Sequence, residues 1–223
     1  MALGPLAISL KTATSATVLT SALGILAASW RVKHPGKRGK LMDALFIIPL
    51  VLPPTVAGYL LLIVFGRSSP VGRVLEQVGL EIVFTWPATV VAAVVVSFPL
   101  MYLAARGAFE QVNPHYLDAA RTLGASEWKV WSKIALPLAW PGILAGITVS
   151  FARALGEFGA TLMLAGNIPG KTQTLPIAIY FAAEAGEMRQ ALTWVLITLA
   201  ISFASLAALN YFPGPQRFSS KHA

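Results

Sequence analysis

Asp118-Ala119-Ala120-Arg121-Thr122-Leu123-Gly124, followed nine residues later by Ile134-Ala135-Leu136-Pro137, is the stretch on which the reading of this chain turns. A short polar helix, a glycine stop and a proline restart lie between two long apolar segments. Asn113 supplies a cap, and Pro114 suits the first helical position, where no N–H is needed. His115 to Leu123 allows about two and a half turns, and Gly124 suits the left-handed residue that closes a helix. Ser126 is placed to cap a second helix with Glu127 in its first turn. Trp128, Trp131 and Ile134 then share one face, suited to the lipid headgroup boundary, with Lys129 and Lys133 reaching water. In the first helix Ala119 and Ala120 leave room for close approach, while Asp118 and Arg121 carry one charge of each sign. A helix lying flat on a membrane carries bulky apolar side chains and excess Lys and Arg. This one reads instead as an exposed element that a soluble partner engages.

The 223 residues are 56% hydrophobic and 12% charged. Soluble domains carry about a quarter charged residues, and a soluble fold this apolar would expose large sticky patches. The chain is therefore read as an integral membrane protein. Cysteine is absent, which excludes disulfides and thiolate metal sites. His34, His115 and His222 lack ligand spacing, so no metal is expected. The net charge is +8, but the basic residues sit at the ends of apolar runs. That pattern sets membrane orientation rather than nucleic-acid binding.

A membrane-crossing helix needs about 20 mostly apolar residues. Five segments qualify: 6–30, 41–65, 82–105, 138–156 and 191–212. They are expected to be helices, because lipid cannot satisfy backbone polar groups. Met1 to Leu10 lacks the basic start and cleavage site of a signal peptide, so the first segment is expected to be retained. No linker or repeat divides residues 1–223, giving one membrane domain. Eleven Lys and Arg fall on one side: Arg31, Lys33, Lys37, Arg38, Lys40, Arg106, Arg121, Lys129, Lys133, Arg217 and Lys221. Only Arg67, Arg73, Lys171 and Arg189 fall on the other. The richer side is expected to be cytoplasmic. That places the N-terminus outside, the C-terminus inside, and loop 106–137 in the cytosol. On the outer side, 158–168 and 174–183 are apolar but too short to cross, and fit re-entrant or surface pieces.

Charges within spans are functional candidates. Lys11 and Arg153 both lie roughly 10 Å outward of their spans' midpoints, which suggests a cationic ring at the outer mouth, doubled in a homodimer. Two simpler readings compete: Lys11 snorkels to the surface, and Arg153 pairs with Glu157 one turn away. Pro49, Pro53 and Pro54 interrupt the second span and can kink it, and Thr55 beside them carries a hydroxyl that a passing polar solute could use. Gly142 and Gly146 form a close-packing G-x-x-x-G pair, read as packing within the chain. Ala165 to Thr172 fits a loose phosphate-loop pattern, but Pro169 removes a backbone donor and no strand precedes it. It is read as a chance match.

The pattern D-A-A-x3-G-x9-I-x-L-P resembles the EAA loop of ATP-binding cassette importer permeases, with Asp118 in place of the usual Glu. Leu50-Val51-Leu52-Pro53-Pro54-Thr55-Val56-Ala57-Gly58-Tyr59 and Val96-Ser97-Phe98-Pro99-Leu100 are similar to molybdate permeases. Phe151 to Thr161 and Ala165 to Gly170 resemble the molybdate and sulfate branch. The resemblance implies an all-helical type I importer permease in the plasma (inner) membrane, without a catalytic site of its own. It implies a coupling helix over Tyr116, Leu117, Asp118, Ala119, Ala120, Arg121 and Gly124 that docks on a separate ATPase subunit. ATP and magnesium would reside on that subunit. Two ATPase copies, a second permease copy and an extracytoplasmic molybdate-binding protein complete the implied assembly. Sulfate or thiosulfate remains an alternative cargo. An ion-coupled carrier would need carboxylates within spans, and only Asp43 is there. A membrane-embedded enzyme would need a catalytic cluster, and none is evident.

Overall fold

The computed structural model of the protein describes residues 4–211, and every regular element in that range is helical. The elements are α1 (Gly4–Lys33), α2 (Lys37–Val51), α3 (Pro54–Phe65), α4 (Pro70–Gln77), α5 (Trp86–Glu110), α6 (Pro114–Thr122), α7 (Glu127–Val130), a π-helical turn (Trp131–Ala135), α8 (Leu136–Leu155), α9 (Gly159–Ala165), α10 (Leu175–Glu184) and α11 (Met188–Tyr211). Among the described residues, four helices are long and apolar enough to cross a membrane: α1, α5, the continuous Glu127–Leu155 rod, and Met188–Ala207 of α11.

α1 and α5 run parallel with a constant offset of 77 residues. Thr12 Oγ1 meets Thr89 Oγ1 at 2.8 Å, and Thr20 Oγ1 meets Ser97 Oγ at 3.2 Å. Gly24 lies against Met101, 2.7 Å from where a Cβ would stand. The positions recur at multiples of four, one face of each helix. Buried Ala13, Ala16 and Ala28 on α1 and Ala93 and Ala105 on α5 fill the rest of the seam. Small residues and hydroxyls hold membrane helices together because lipid offers no hydrophobic drive between them. α8 packs antiparallel on another face of α5, with Gly142 against Ala108 and Gly146 against Ala104. The G-x-x-x-G pair thus packs within the chain.

The span over 41–65, expected to be kinked at its prolines, is broken into two helices bent by 112°. The cause is local. Leu52 and Pro53 are each followed by a proline, which disfavours helical ψ in the residue before it. Both are extended, with ψ of 139° and 136°. Boundaries differ elsewhere as well. The third span begins at Trp86 rather than 82 and runs to Glu110, so residues 106–110 belong to the span, not the loop. The fourth extends back through the π turn to Glu127, so 127–137 are also helical. The π turn coincides with Pro137, which has no N–H for the carbonyl of Lys133. Phe212, Arg217, Lys221 and His222 lie outside the described residues.

At the end opposite α6, here the far end, α3 lies against α9. A Cβ on Gly58 would stand 2.7 Å from Ala160 Cα and 2.8 Å from Met163 Cβ. Gly58→Ala should therefore force the two helices apart and cost about 1–3 kcal/mol, measured as a lower unfolding temperature in detergent. An unchanged temperature would contradict this close approach.

Candidate functional site

α6 is built as its sequence dictates. Asn113 Oδ1 accepts a hydrogen bond from the His115 N–H at 3.0 Å, and Pro114 opens the helix. At its end, the Gly124 N–H donates to Arg121 O at 2.9 Å and the Ala125 N–H to Ala120 O at 3.0 Å. This paired closure requires a left-handed residue, and Gly124 has φ +80°. Ser126 stands at the next N-cap, but its hydroxyl makes no capping bond. Glu127 turns instead to Arg121, with contacts of 2.7 and 3.2 Å.

The two alanines face opposite ways. Ala120 is buried, and Leu117 packs against the core cluster of Phe109, Val112 and Ala135. Ala119 is exposed. So are Tyr116 and Leu123, at 58% and 89%. Tyr116, Ala119 and Leu123 fall at i, i+3 and i+7, one stripe of the helix. Asp118 and Arg121 do not stand free: they pair at 2.8 Å, and Arg121 bridges to Glu127. The carboxylates of Glu127 and then Asp118 raise the Arg121 pKa above its ordinary value. The outer stripe is thus apolar, flanked by an internally paired charge cluster that ties α6 to α7. Leu123 and Glu127 join this surface in addition to the residues singled out from the sequence. The i, i+3, i+7 spacing was the signal for Leu123.

The path candidates gather at the far end. Arg153 Nη2 bonds Glu157 Oε2 at 2.8 Å. Glu157 is 3% exposed, and its other oxygen accepts the Ala160 N–H at 2.8 Å. Gly159 lies against Pro54 and Thr55, with a Cβ position 3.2 Å from Thr55 Cγ2. Thr55, Glu157 and Arg153 are thus brought to one segment, 153–160. Lys11 is not joined to them by a direct bond. It is exposed and its ammonium stands 3.9 Å from the centre of the Trp86 ring, a cation–π contact.

The phosphate-loop-like turn is closed on itself. The N–H groups of Lys171, Thr172 and Gln173 all converge on Ile168 O at 2.9–3.2 Å. The Ile168 N–H goes to Thr172 Oγ1 at 3.1 Å. These four donors are spent within the turn and do not point outward to cradle a phosphate. A nearby cavity of about 530 Å³ sets Arg67 and Lys171 against Glu76 and Glu81. Arg67 is already bound to Glu81 at 2.6 Å. The balance of charge leaves no attraction for a dianion.

A cluster at the α6 end was not foreseen. Asp43 accepts from Arg31 at 2.8 Å and from Arg106 at 3.0 Å, and the Tyr102 hydroxyl donates to it. Arg106 also reaches Glu110 at 2.7 Å. Tyr102, Arg106 and Glu110 recur every four residues, a polar stripe at the end of α5 that signalled such a cluster.

Glu157→Ala should leave the Ala160 N–H and the Arg153 guanidinium unpaired and cost about 1–3 kcal/mol. Thermal unfolding in detergent reads this, and a parent-like transition would show that Glu157 does not hold the segment.

Residues 20–212 match the family model described as the binding-protein-dependent transport system inner membrane component. The chain is 44% identical over 204 residues to the molybdenum transport system permease protein ModB of Escherichia coli K12, covering 89% of this chain and 88% of that one. ModB of Haemophilus influenzae is 41% identical, covering 92% and 91%. The sulfate transport system permease protein CysT of Escherichia coli K12 is 33% identical, covering 91% and 73%. Among solved structures, the MetNI methionine ABC transporter superposes with a TM-score of 0.66 at 19% identity, covering 93% of this chain and 90% of that one.

Proposed function

The chain belongs to the family of binding-protein-dependent transport system inner membrane components, a multi-pass membrane permease with the fold of ABC importers, and from that premise we propose that it carries molybdate inward on ATP hydrolysed by a separate subunit. The observation that carries the reading is α6, a short helix capped at both ends that offers an apolar stripe of Tyr116, Ala119 and Leu123. For the cargo, the support is the greater identity to molybdenum permeases than to the sulfate permease. Tungstate shares molybdate's charge and shape and belongs with it.

A dianion cannot cross hydrocarbon unaided, because its desolvation cost far exceeds thermal energy. The assembly supplies an alternating route: two copies of this chain, two ATPase subunits holding ATP and magnesium, and an extracytoplasmic binding protein that selects the ion. The proposed cytosolic end is the α6 end. ATP binding draws the ATPase pair together, and with it the two docked α6 helices. Their motion has a rigid carrier. Glu127 grips Arg121 of α6 and begins a continuous helix to Leu155, 29 residues, about 40 Å. At its far end Arg153 holds Glu157, and Glu157 holds the start of α9. Segment 153–160 is the proposed gate, with Thr55 and Arg153 as candidate contacts for the passing oxyanion. Lys11, resting on Trp86, contributes positive charge near the mouth. Asp43 is locked between two arginines, which argues against an ion-coupled carrier that needs a free carboxylate.

The test is uptake into vesicles by the chain reconstituted with its ATPase and binding protein. Molybdate should accumulate only with ATP, tungstate should compete and sulfate should not. Uptake without the ATPase, or sulfate preferred over molybdate, would contradict the reading. Ala119→Asp places a charge on the exposed stripe without disturbing the chain's own core. It should weaken ATPase binding about thirtyfold and abolish uptake, with membrane insertion retained. Normal uptake with the ATPase still bound would refute docking at Ala119.

A further inference from the structure

We propose that Asp43 is the positioning residue that fixes the broken α2–α3 pair to the α1–α5 body, so that the far-end segment 156–160 follows movement delivered at the α6 end. The consequence for transport rests on the function proposed above; the attachment itself does not.

α2 is held by very little. Of its fifteen residues only Gly39 is buried, and Leu41, Leu45, Ile48 and Val51 are exposed. What holds it is one strip at positions 39, 43 and 46, spaced four and three apart. A Cβ on Gly39 would run into the His34 carbonyl and the Arg31 guanidinium. Asp43 binds Arg31, Arg106 and Tyr102. Phe46 meets Phe98 and Tyr102 edge-on, with ring centroids 5.4 and 5.1 Å apart. Between helices in lipid, burial of apolar surface gives no drive, so the polar centre of the strip carries the attachment. The side chains of Arg31 and Asp43 are 9% and 15% exposed. Without the carboxylate, the buried Arg31 loses its counter-ion and faces the Arg106 guanidinium, which keeps only Glu110, so α1 and α5 present like charges to α2 with nothing between them.

The node also stands between the two ends of the proposed cycle. Arg106 reaches Glu110, the last residue of α5 before the connection to α6. In the other direction, α2 leads through the bend to α3. There Gly58 lies on Ala160 and Thr55 lies beside Gly159. α3 therefore grips the segment that Glu157 caps. An α2 that swivels freely would let that segment move independently of α5.

The chain has no cysteine, so spin labels at Leu41→Cys on α2 and Leu103→Cys on α5, both exposed, placed on this chain before it is assembled with its partners, report the α2–α5 distance in the complex. The parent should give a narrow distribution, Asp43→Asn a broad one, and Asp43→Glu a narrow one again. In the same complexes Asp43→Asn should lower molybdate moved per ATP hydrolysed by about tenfold with the ATPase still bound, and Asp43→Glu should restore it. A distribution as narrow as the parent's in Asp43→Asn overturns the proposal, as does parent-like transport per ATP. If Asp43→Asn does not assemble, the double variant Tyr102→Phe with Arg106→Gln takes its place under the same criteria, since it removes both α5 groups that bind Asp43 and leaves the carboxylate paired with Arg31. A parent complex that moves no oxyanion would count against the proposed function and leave the distance result to stand by itself.

Discussion

Hydroxyl meets hydroxyl twice along the contact between α1 and α5, and everything else in the protein is placed relative to that contact. Thr12 with Thr89, Thr20 with Ser97, and Gly24 under Met101 fix the two helices in one register. A slip of a single residue would rotate each hydroxyl away from its partner and drive side chains into a seam lined with alanine. Trp86 adds a bond from its indole N–H to Thr12 at 3.1 Å, pinning the start of α5 to the same point. α8 then approaches α5 through its two glycines. Parallel α1 and α5 with antiparallel α8 form the body, and the remaining helices attach to it by smaller contacts.

That hierarchy explains where motion can be delivered. α6 is stiff in itself but bound to the body only through Leu117, Ala120 and the Arg121–Glu127 pair. The α2–α3 pair is held at one strip near the α6 end and by α9 at the far end. The Glu127–Leu155 rod joins α6 to the Arg153–Glu157 pair without interruption. Each lever has a polar fastening beside its apolar contacts: the Arg121–Glu127 pair for α6, the Asp43 cluster for α2, and the Arg153–Glu157 pair for the far-end segment.

Much of this was legible in the residues. The cap at Asn113, the proline start and the stop at Gly124 are local rules, and the structure follows them bond for bond. The long apolar helices were evident because lipid leaves the backbone no alternative. What escaped the sequence is the direction in which side chains face and which distant groups meet. Ala119 and Ala120 are equivalent as letters, yet one is outside and the other inside, because α6 leans on Phe109 and Val112. The three prolines of the second span signalled a kink, but its size follows from two consecutive residues that each precede a proline. Arg31, Asp43 and Arg106 lie 12 and 63 residues apart in sequence, and only the parallel packing of α1 and α5 brings the two cations to one carboxylate. Ser126 was expected to cap through its hydroxyl. Glu127 pairs with Arg121 there instead.

The central claim is that α6 is the surface on which an ATPase subunit acts from the cytosol. A single cysteine at Leu123→Cys, in a chain that otherwise has none, measures it most directly. The account predicts that in intact cells this thiol is shielded from membrane-impermeant reagents and crosslinks to the ATPase subunit, with the crosslink blocking uptake. Labelling of the thiol from outside the cell, or uptake that continues undiminished with the crosslink in place, would contradict it.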